Sequence, residues 1–176
     1  KKAIGTGIIG AFGMAASLTG LTEGLAKKLG IEVSVIHLHP GSHAGYYPGA
    51  QQMSLKLIFD SKTGEILGAQ GIGIEGVDKR IDVIATAIRG GITAPELADL
   101  ELAYAPPFGS AKDAINMLGY ISENILSGLL ETAQWSQIEQ FKDKGFELLD
   151  VRAPSEFAAG SIPGAKSMPV DEIRSR

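Results

Sequence analysis

Two short strings place tyrosines beside proline and glycine: HPGSHAGYYPGA at residues 39–50 and YAPPFGSAKD at residues 104–113. A phenol with an ordinary pKa of about 10 keeps its proton at neutral pH, so it is a donor for acid or hydrogen-bonding chemistry. Proline and glycine fix the backbone that carries it without adding a mobile side chain. Tyr46, Tyr47 and Tyr104 are therefore candidate site residues, although the residues alone equally allow amphipathic packing at a loop edge. The chain contains no cysteine, which removes disulfides, thiol nucleophiles and thiolate metal sites from consideration. It offers proton donors but no sulfur nucleophile.

Three other constellations invite chemistry. His37 and His39 share one face of a strand, with His43 following, which is a geometrically feasible start to a metal site. No nearby acid or thiol completes a tetrahedron, so hydrogen-bonded histidines at a strand end are expected, and no metal. The strings GTGIIG at 5–10 and GIGIEG at 71–76 match the dinucleotide fingerprint. That cradle needs a preceding strand, a following helix and a second parallel strand. The first match has only four residues ahead of it, and the strand before the second is half of a hairpin. Both are expected to be glycines in closely packed strands.

The elements that must position these residues read as follows. Residues 6–19 are a glycine-interrupted buried strand, and Thr22 to Leu29 form a short helix stopped by Gly30. EVSVIHLH (32–39) alternates as a strand, and MSLKLIFD (53–60) and EILGAQGIG (65–73) flank a turn at 61–64, with Leu55, Leu57 and Phe59 on one face. Val77, Ile81, Ile84 and Ile88 recur at helical spacing before Gly90 and Gly91. A second helix begins at Ser110-x-x-Asp113, read as a capping-box variant, with Ile115, Leu118, Ser122, Ile125 and Leu129 as its stripe. After Gly128 the pattern restarts with a surface helix (132–145), a buried strand (146–151) and then a turn, helix start and loop (153–165). That is too little to bury its own core, so residues 129–176 are expected to be the beginning of a second domain.

Composition bounds the function classes. Of the 176 residues, 44% are hydrophobic and 20% charged, as in soluble globular proteins. The net charge of −4 gives no footprint for nucleic acid or an anionic membrane. Residues 3–22 carry no charge and follow two lysines, imitating a signal peptide or membrane span, but their glycines, serine and threonines make them too polar and flexible for either. The chain opens on Lys rather than Met, so an excerpt of a longer protein is expected.

Residues 1–128 resemble the C-terminal dimerisation domain of the pyridine nucleotide-disulfide oxidoreductases, in the coenzyme A-disulfide reductase branch. The resemblance is carried by the opening strand to Thr19 and Gly20, HPGSHAGYYPGA, the GAQGIG and GVDKRIDVIATAI strings, and YAPPFGSAKDAINMLGY. Residues 129–176 resemble a linker and the start of a rhodanese-like domain, in LLDVRAPSEFAAGSIPGAKSMP (148–169). Ser161 departs from that pattern, where the family often has histidine, and the family's cysteine loop would lie beyond Arg176. Gly13 and Met14 depart from the reductase pattern, where relatives often have an acidic residue.

The resemblance implies an α+β fold, a mainly antiparallel sheet with helices on one face, followed by the first part of an α/β domain. It implies a part of an FAD-dependent, NAD(P)H-driven reductase of coenzyme A disulfides, persulfides or polysulfide, in which this fragment alone is inactive and binds no cofactor. The expected assembly is a cytoplasmic homodimer with no nucleic-acid or membrane partner. Tyr104 and Tyr46 match the two tyrosines that such domains supply to the partner subunit's site, to protonate or stabilise a departing CoA thiolate; Tyr47 stands as the alternative to Tyr46. Tyr47 and His43 are assigned to substrate binding, and Pro106 and Phe108 to the cofactor. The alternatives are a non-catalytic dimerisation or interaction module, or part of an NADH oxidase or peroxidase.

Overall fold

The computed structural model describes residues 3–175; Lys1 and Lys2, which open the signal-like stretch, lie outside the described residues. The chain divides into two compact units between Glu131 and Thr132. The first holds β1 (Gly7–Ala11), β2 (Met14–Gly20), α1 (Glu23–Lys28), β3 (Val33–Leu38), β4 (Met53–Asp60), β5 (Ile66–Gly73), α2 (Val77–Gly90), a 3₁₀ turn (Pro95–Asp99) and α3 (Ala114–Leu126). Its five strands form one sheet in the order β1-β2-β5-β4-β3, every neighbouring pair antiparallel.

Period-two alternation builds the core. Leu55, Leu57 and Phe59 of β4 point to the same side and meet Val77, Ile81 and Ile84 of α2 and Ile115 and Leu118 of α3, all at 2% exposure or less. Each such side chain contributes about 1.5–3 kcal/mol relative to staying in water. The β4–β5 turn is tightened by Asp60, whose Oδ1 accepts from the backbone N–H groups of Lys62 and Thr63 and from the Thr63 hydroxyl. Beyond α2, Gly91 adopts φ +74° and closes the helix through bonds to the Ala87 and Ile88 carbonyls.

Three expectations are corrected. Residues 6–19 are not one buried strand but a hairpin, folded at Phe12 and Gly13 with φ of +53° and +75°, and β1 is exposed throughout. A turn carrying phenylalanine rather than asparagine or aspartate conceals itself inside an apolar run. The helix after the second tyrosine string starts at Asp113, which with Asn116 forms the capping box; Ser110 is not its cap, and Leu129 lies past the end at 80% exposure. Helices α2 and α3 share one face of the sheet, but α1 lies over the other, where Lys56 donates to Glu23 at 2.6 Å from a position alternate to Leu55 and Leu57.

The second unit contains a 3₁₀ turn (Trp135–Gln137), α4 (Ile138–Asp143), β6 (Leu149–Asp150), α5 (Pro154–Ala159), β7 (Lys166–Ser167) and a 3₁₀ segment (Val170–Ser175). The expected buried strand is only two residues long, with Leu149 42% exposed, and it pairs in parallel with β7. Arg152 ties this unit together by donating to both Asp150 oxygens and to the Gly160 carbonyl. The hydrogen bonds of Arg152 hold the Asp150 carboxyl below the usual carboxylate range. No helix among the described residues is long and apolar enough to cross a membrane.

Candidate functional site

The loop between β3 and β4 carries the first tyrosine string as an extension of their hairpin. Met53 N–H donates to the Pro40 carbonyl at 2.9 Å and Ser42 N–H to the Gln51 carbonyl at 2.8 Å, while the Ser42 hydroxyl accepts from Gln51 N–H at 3.1 Å. At its tip the chain turns back, with Tyr47 N–H bonded to the Ala44 carbonyl at 3.0 Å, leaving Tyr46 at the apex and 78% exposed. The second string turns at Pro106 and Pro107, closed by Phe108 N–H and Gly109 N–H on the Ala105 carbonyl at 2.8 and 3.1 Å. The two loops meet in the backbone, where Ala44 N–H donates to the Gly109 carbonyl at 2.8 Å.

That junction brings the hydroxyls of Tyr46 and Tyr104 to 3.1 Å, within hydrogen-bond distance. Tyr104 is 47% exposed, so the pair stands on the surface rather than in the core. The hydrogen bond with Tyr46, and secondarily desolvation, hold the Tyr104 phenol above its ordinary pKa. Tyr104 therefore keeps its proton throughout the neutral range. Tyr47 takes a different course, its ring meeting that of His43 edge-on at 5.8 Å between centroids. His43 is 6% exposed and hydrogen-bonds the Ala44 carbonyl, so it supports the Tyr47 ring from below rather than presenting itself at the surface. Phe108 is 73% exposed and Pro106 half-buried beside Tyr104.

Beneath the loops lies a buried ion pair that the sequence reading passed over. Arg80, on the inner side of α2 and 2% exposed, donates from Nε and Nη2 to Asp113 at 3.2 and 2.7 Å. Its Nη2 also reaches the Ser42 carbonyl at 3.0 Å, and its Nη1 the Gly76 carbonyl at 3.2 Å. Asp113 caps α3 by accepting from Ile115 N–H at 3.1 Å. Asn116 accepts from Asp113 N–H and donates from its amide to the carbonyls of Leu97, Ala98 and Leu100 at 3.0–3.2 Å. The signals were present: Arg80 sits at i+3 from Val77 and i−4 from Ile84, inside an apolar stripe where a charge needs a partner. Asp113-x-x-Asn116 is likewise a visible capping pair.

The second glycine string resolves as packing, whereas the close packing expected of the first does not hold: no atom lies within 4 Å of a Cβ at Gly5 or Gly7, and Gly7 and Gly10 sit on the exposed β1. A Cβ at Gly71 would stand 2.8 Å from Val77 Cγ1, and one at Gly73 would stand 2.8 Å from Met53 Cβ, so the space that a phosphate cradle leaves open is filled by protein. The strand before GIGIEG pairs antiparallel on both sides. Such a segment does not fit a dinucleotide. His39 hydrogen-bonds the Ser54 hydroxyl at 3.0 Å. Among the described residues no group of three or more metal-ligating side chains converges.

Comparison with known proteins assigns this architecture to a family. Coenzyme A disulfide reductase from Staphylococcus haemolyticus is 36% identical over 125 residues, covering 71% of this chain and 28% of that protein. The crystal structure of reduced Bacillus anthracis CoADR-RHD superposes with a TM-score of 0.96 at 47% identity, covering 98% of this chain and 31% of that one. A NAD-dependent persulfide reductase from A. fulgidus gives a TM-score of 0.86 at 34% identity, covering 99% of this chain and 31% of that one. The chain thus spans under a third of the length of these relatives. The dimerisation domain of pyridine nucleotide-disulphide oxidoreductases matches residues 10–115, a span holding both tyrosines, Arg80 and Asp113. With more than half of its length inside that match, the chain belongs to the pyridine nucleotide-disulphide oxidoreductase dimerisation domain family.

Proposed function

We propose that this chain is the dimerisation domain of an FAD-dependent, NAD(P)H-driven reductase of coenzyme A disulfides or persulfides, and that Tyr46 and Tyr104 act across a homodimer on the sulfur substrate. The observation that carries the reading is the exposed phenol pair at 3.1 Å on a chain without a thiol. The substrate class rests on the likeness to the reductases named above. The second unit is read as the opening part of a rhodanese-like domain, supported by its parallel β6–β7 pair with α5 between the strands.

The chemistry asked of this chain is modest and specific. A thiolate supplied by the remainder of the reductase attacks one sulfur of the disulfide, the S–S bond breaks, and the electron pair leaves on the coenzyme A sulfur. An ordinary phenol lies about 1.5 pKa units above an ordinary thiol, and Tyr104 is pushed higher still. Complete proton transfer to the thiolate is therefore uphill by more than about 2 kcal/mol. Tyr104 instead acts as a hydrogen-bond donor to the developing thiolate, with Tyr46 orienting it. A hydrogen bond to a charged group contributes about 1.5–3 kcal/mol, or on the order of 10- to 100-fold in rate. When bound, FAD would relay the electron pair of NAD(P)H. GIGIEG is filled by protein and GTGIIG runs into an antiparallel hairpin rather than a helix, so neither fits such a dinucleotide, and this chain's contribution to it is the apolar edge of Pro106 and Phe108. Tyr47, propped by His43, offers substrate a second aromatic surface.

The test is Tyr104→Phe in the full-length protein. Coenzyme A disulfide turnover is expected to fall about 10- to 100-fold while flavin reduction by NAD(P)H stays unchanged. Equal turnover in the two proteins overturns the reading.

A further inference from the structure

Tyr46 and Tyr104 are both too exposed for packing alone to fix their spacing, yet their hydroxyls lie at hydrogen-bond distance. Something beneath them sets the loops. Arg80 is the one described side chain that hydrogen-bonds both: it holds the Ser42 carbonyl, four residues before Tyr46, and the Asp113 carboxylate at the end of the Tyr104 loop. Its third anchor, the Gly76 carbonyl, locks the guanidinium to the start of its own helix. Gly76 makes room for this, since a Cβ there would stand 2.5 Å from Arg80 Nη1, and its φ of +79° starts the helix at that point.

A buried ion pair is weak evidence for stability, because a well-packed apolar replacement often serves as well. A planar fork with fixed donor directions does something an apolar side chain does not: it dictates where a carbonyl and a carboxylate must sit relative to each other. We infer that Arg80 is a positioning residue, whose guanidinium clamps Ser42 and Asp113, holds the two loops where the Ala44–Gly109 backbone bond forms, and thereby sets the distance between the Tyr46 and Tyr104 hydroxyls. This rests on the proposed function only for its catalytic consequence, not for its geometry.

Two variants test it. Arg80→Lys keeps the charge but loses the fork. Arg80→Met with Asp113→Asn removes both charges, so neither is left buried alone, and retains a capping oxygen for α3. Circular dichroism identifies the variants that keep the native fold. Phenolate formation is then followed by absorbance on this chain, which has four tyrosines, and turnover is measured on the full-length protein. In a folded variant Tyr104 is expected to titrate lower, nearer a free phenol. Turnover is expected to fall about tenfold or more, since small misplacements of reacting groups are costly, with flavin reduction by NAD(P)H unchanged. That loss is expected to vanish when the variant is combined with Tyr46→Phe and Tyr104→Phe. A folded variant with wild-type titration overturns the inference, as does a turnover loss that persists without the two hydroxyls. Failure of both variants to fold makes Arg80 a determinant of the fold rather than of the spacing and also overturns it. A lowered titration with turnover unaltered both here and in Tyr104→Phe upholds the positioning and rejects the proposed function instead.

Discussion

Gly119→Ala sets two effects of opposite sign against each other. In a helix interior alanine is favoured over glycine by about 1 kcal/mol, so propensity alone predicts a more stable protein. Gly119 is the point where α3 touches the Pro95–Asp99 turn backbone to backbone. A Cβ there would stand 2.2 Å from Ala98 N and 2.7 Å from its Cα. Contact requires more than about 1 Å of retreat, and neither backbone has a flexible end to yield. Such overpacking costs about 1–3 kcal/mol. The retreat also pulls on Asn116, one turn earlier, whose amide holds three carbonyls at 3.0–3.2 Å. An added ångström breaks those bonds, at about 1 kcal/mol each for the two hydrogens available. The net expectation is destabilisation by about 2–4 kcal/mol, read as a lower urea midpoint at unchanged slope by far-UV circular dichroism. Gly24→Ala is the control, because no atom lies within 4 Å of a Cβ there, and it should gain up to about 1 kcal/mol. A Gly119→Ala protein as stable as wild type would falsify the reasoning.

Two further outcomes follow from the electrostatics. Hydrogen bonds from Lys27 and then Lys56 lower the Glu23 carboxyl from 4.5 to about 2. A depressed carboxyl stabilises the folded state above its unfolded pKa and loses that contribution as pH falls through its folded one. Wild type should therefore exceed Glu23→Gln by about 1 kcal/mol or less near neutrality, after solvent screening, with the gap closing between pH 4.5 and about 2. A gap independent of pH in urea titrations refutes the pairing. Tyr46→Phe removes the main cause of the raised Tyr104 pKa, so phenolate absorbance should show Tyr104 titrating lower. A curve that has merely lost one phenol, with the rest unmoved, counts against the hydroxyl contact.

Much of the first unit was legible because its signals are local. The β4 and β5 strands alternate around a compact turn, and α2 repeats its apolar residues at helical spacing up to a glycine pair. Both tyrosine strings drew notice through their proline and glycine, but their approach depends on a backbone bond between Ala44 and Gly109, residues distant in sequence. Arg80 was overlooked because a helical stripe is read for its apolar members, and a charge within it looks like an interruption. Phe12 hid a turn because its aromatic ring extends the apolar run on either side. In the second unit β6 and β7 are two residues each, too short for any periodicity, and their pairing is parallel and non-local.

The outer hairpin strand bears on how this chain behaves in solution. Edge strands are commonly blunted by lysine, proline or a bulge, but β1 reads GIIGA, with Ile8 and Ile9 at 58% and 65% exposure and Phe12 at its tip 99% exposed. No charge lies anywhere in residues 3–22, so copies approaching along this line meet no local repulsion, and the net charge of −4 supplies only a weak overall one. Added salt weakens that remaining repulsion and leaves the apolar attraction intact. The uncharged ribbon is thus a place where apolar attraction between copies meets no opposing local charge, and the repulsion that remains is the part that salt removes.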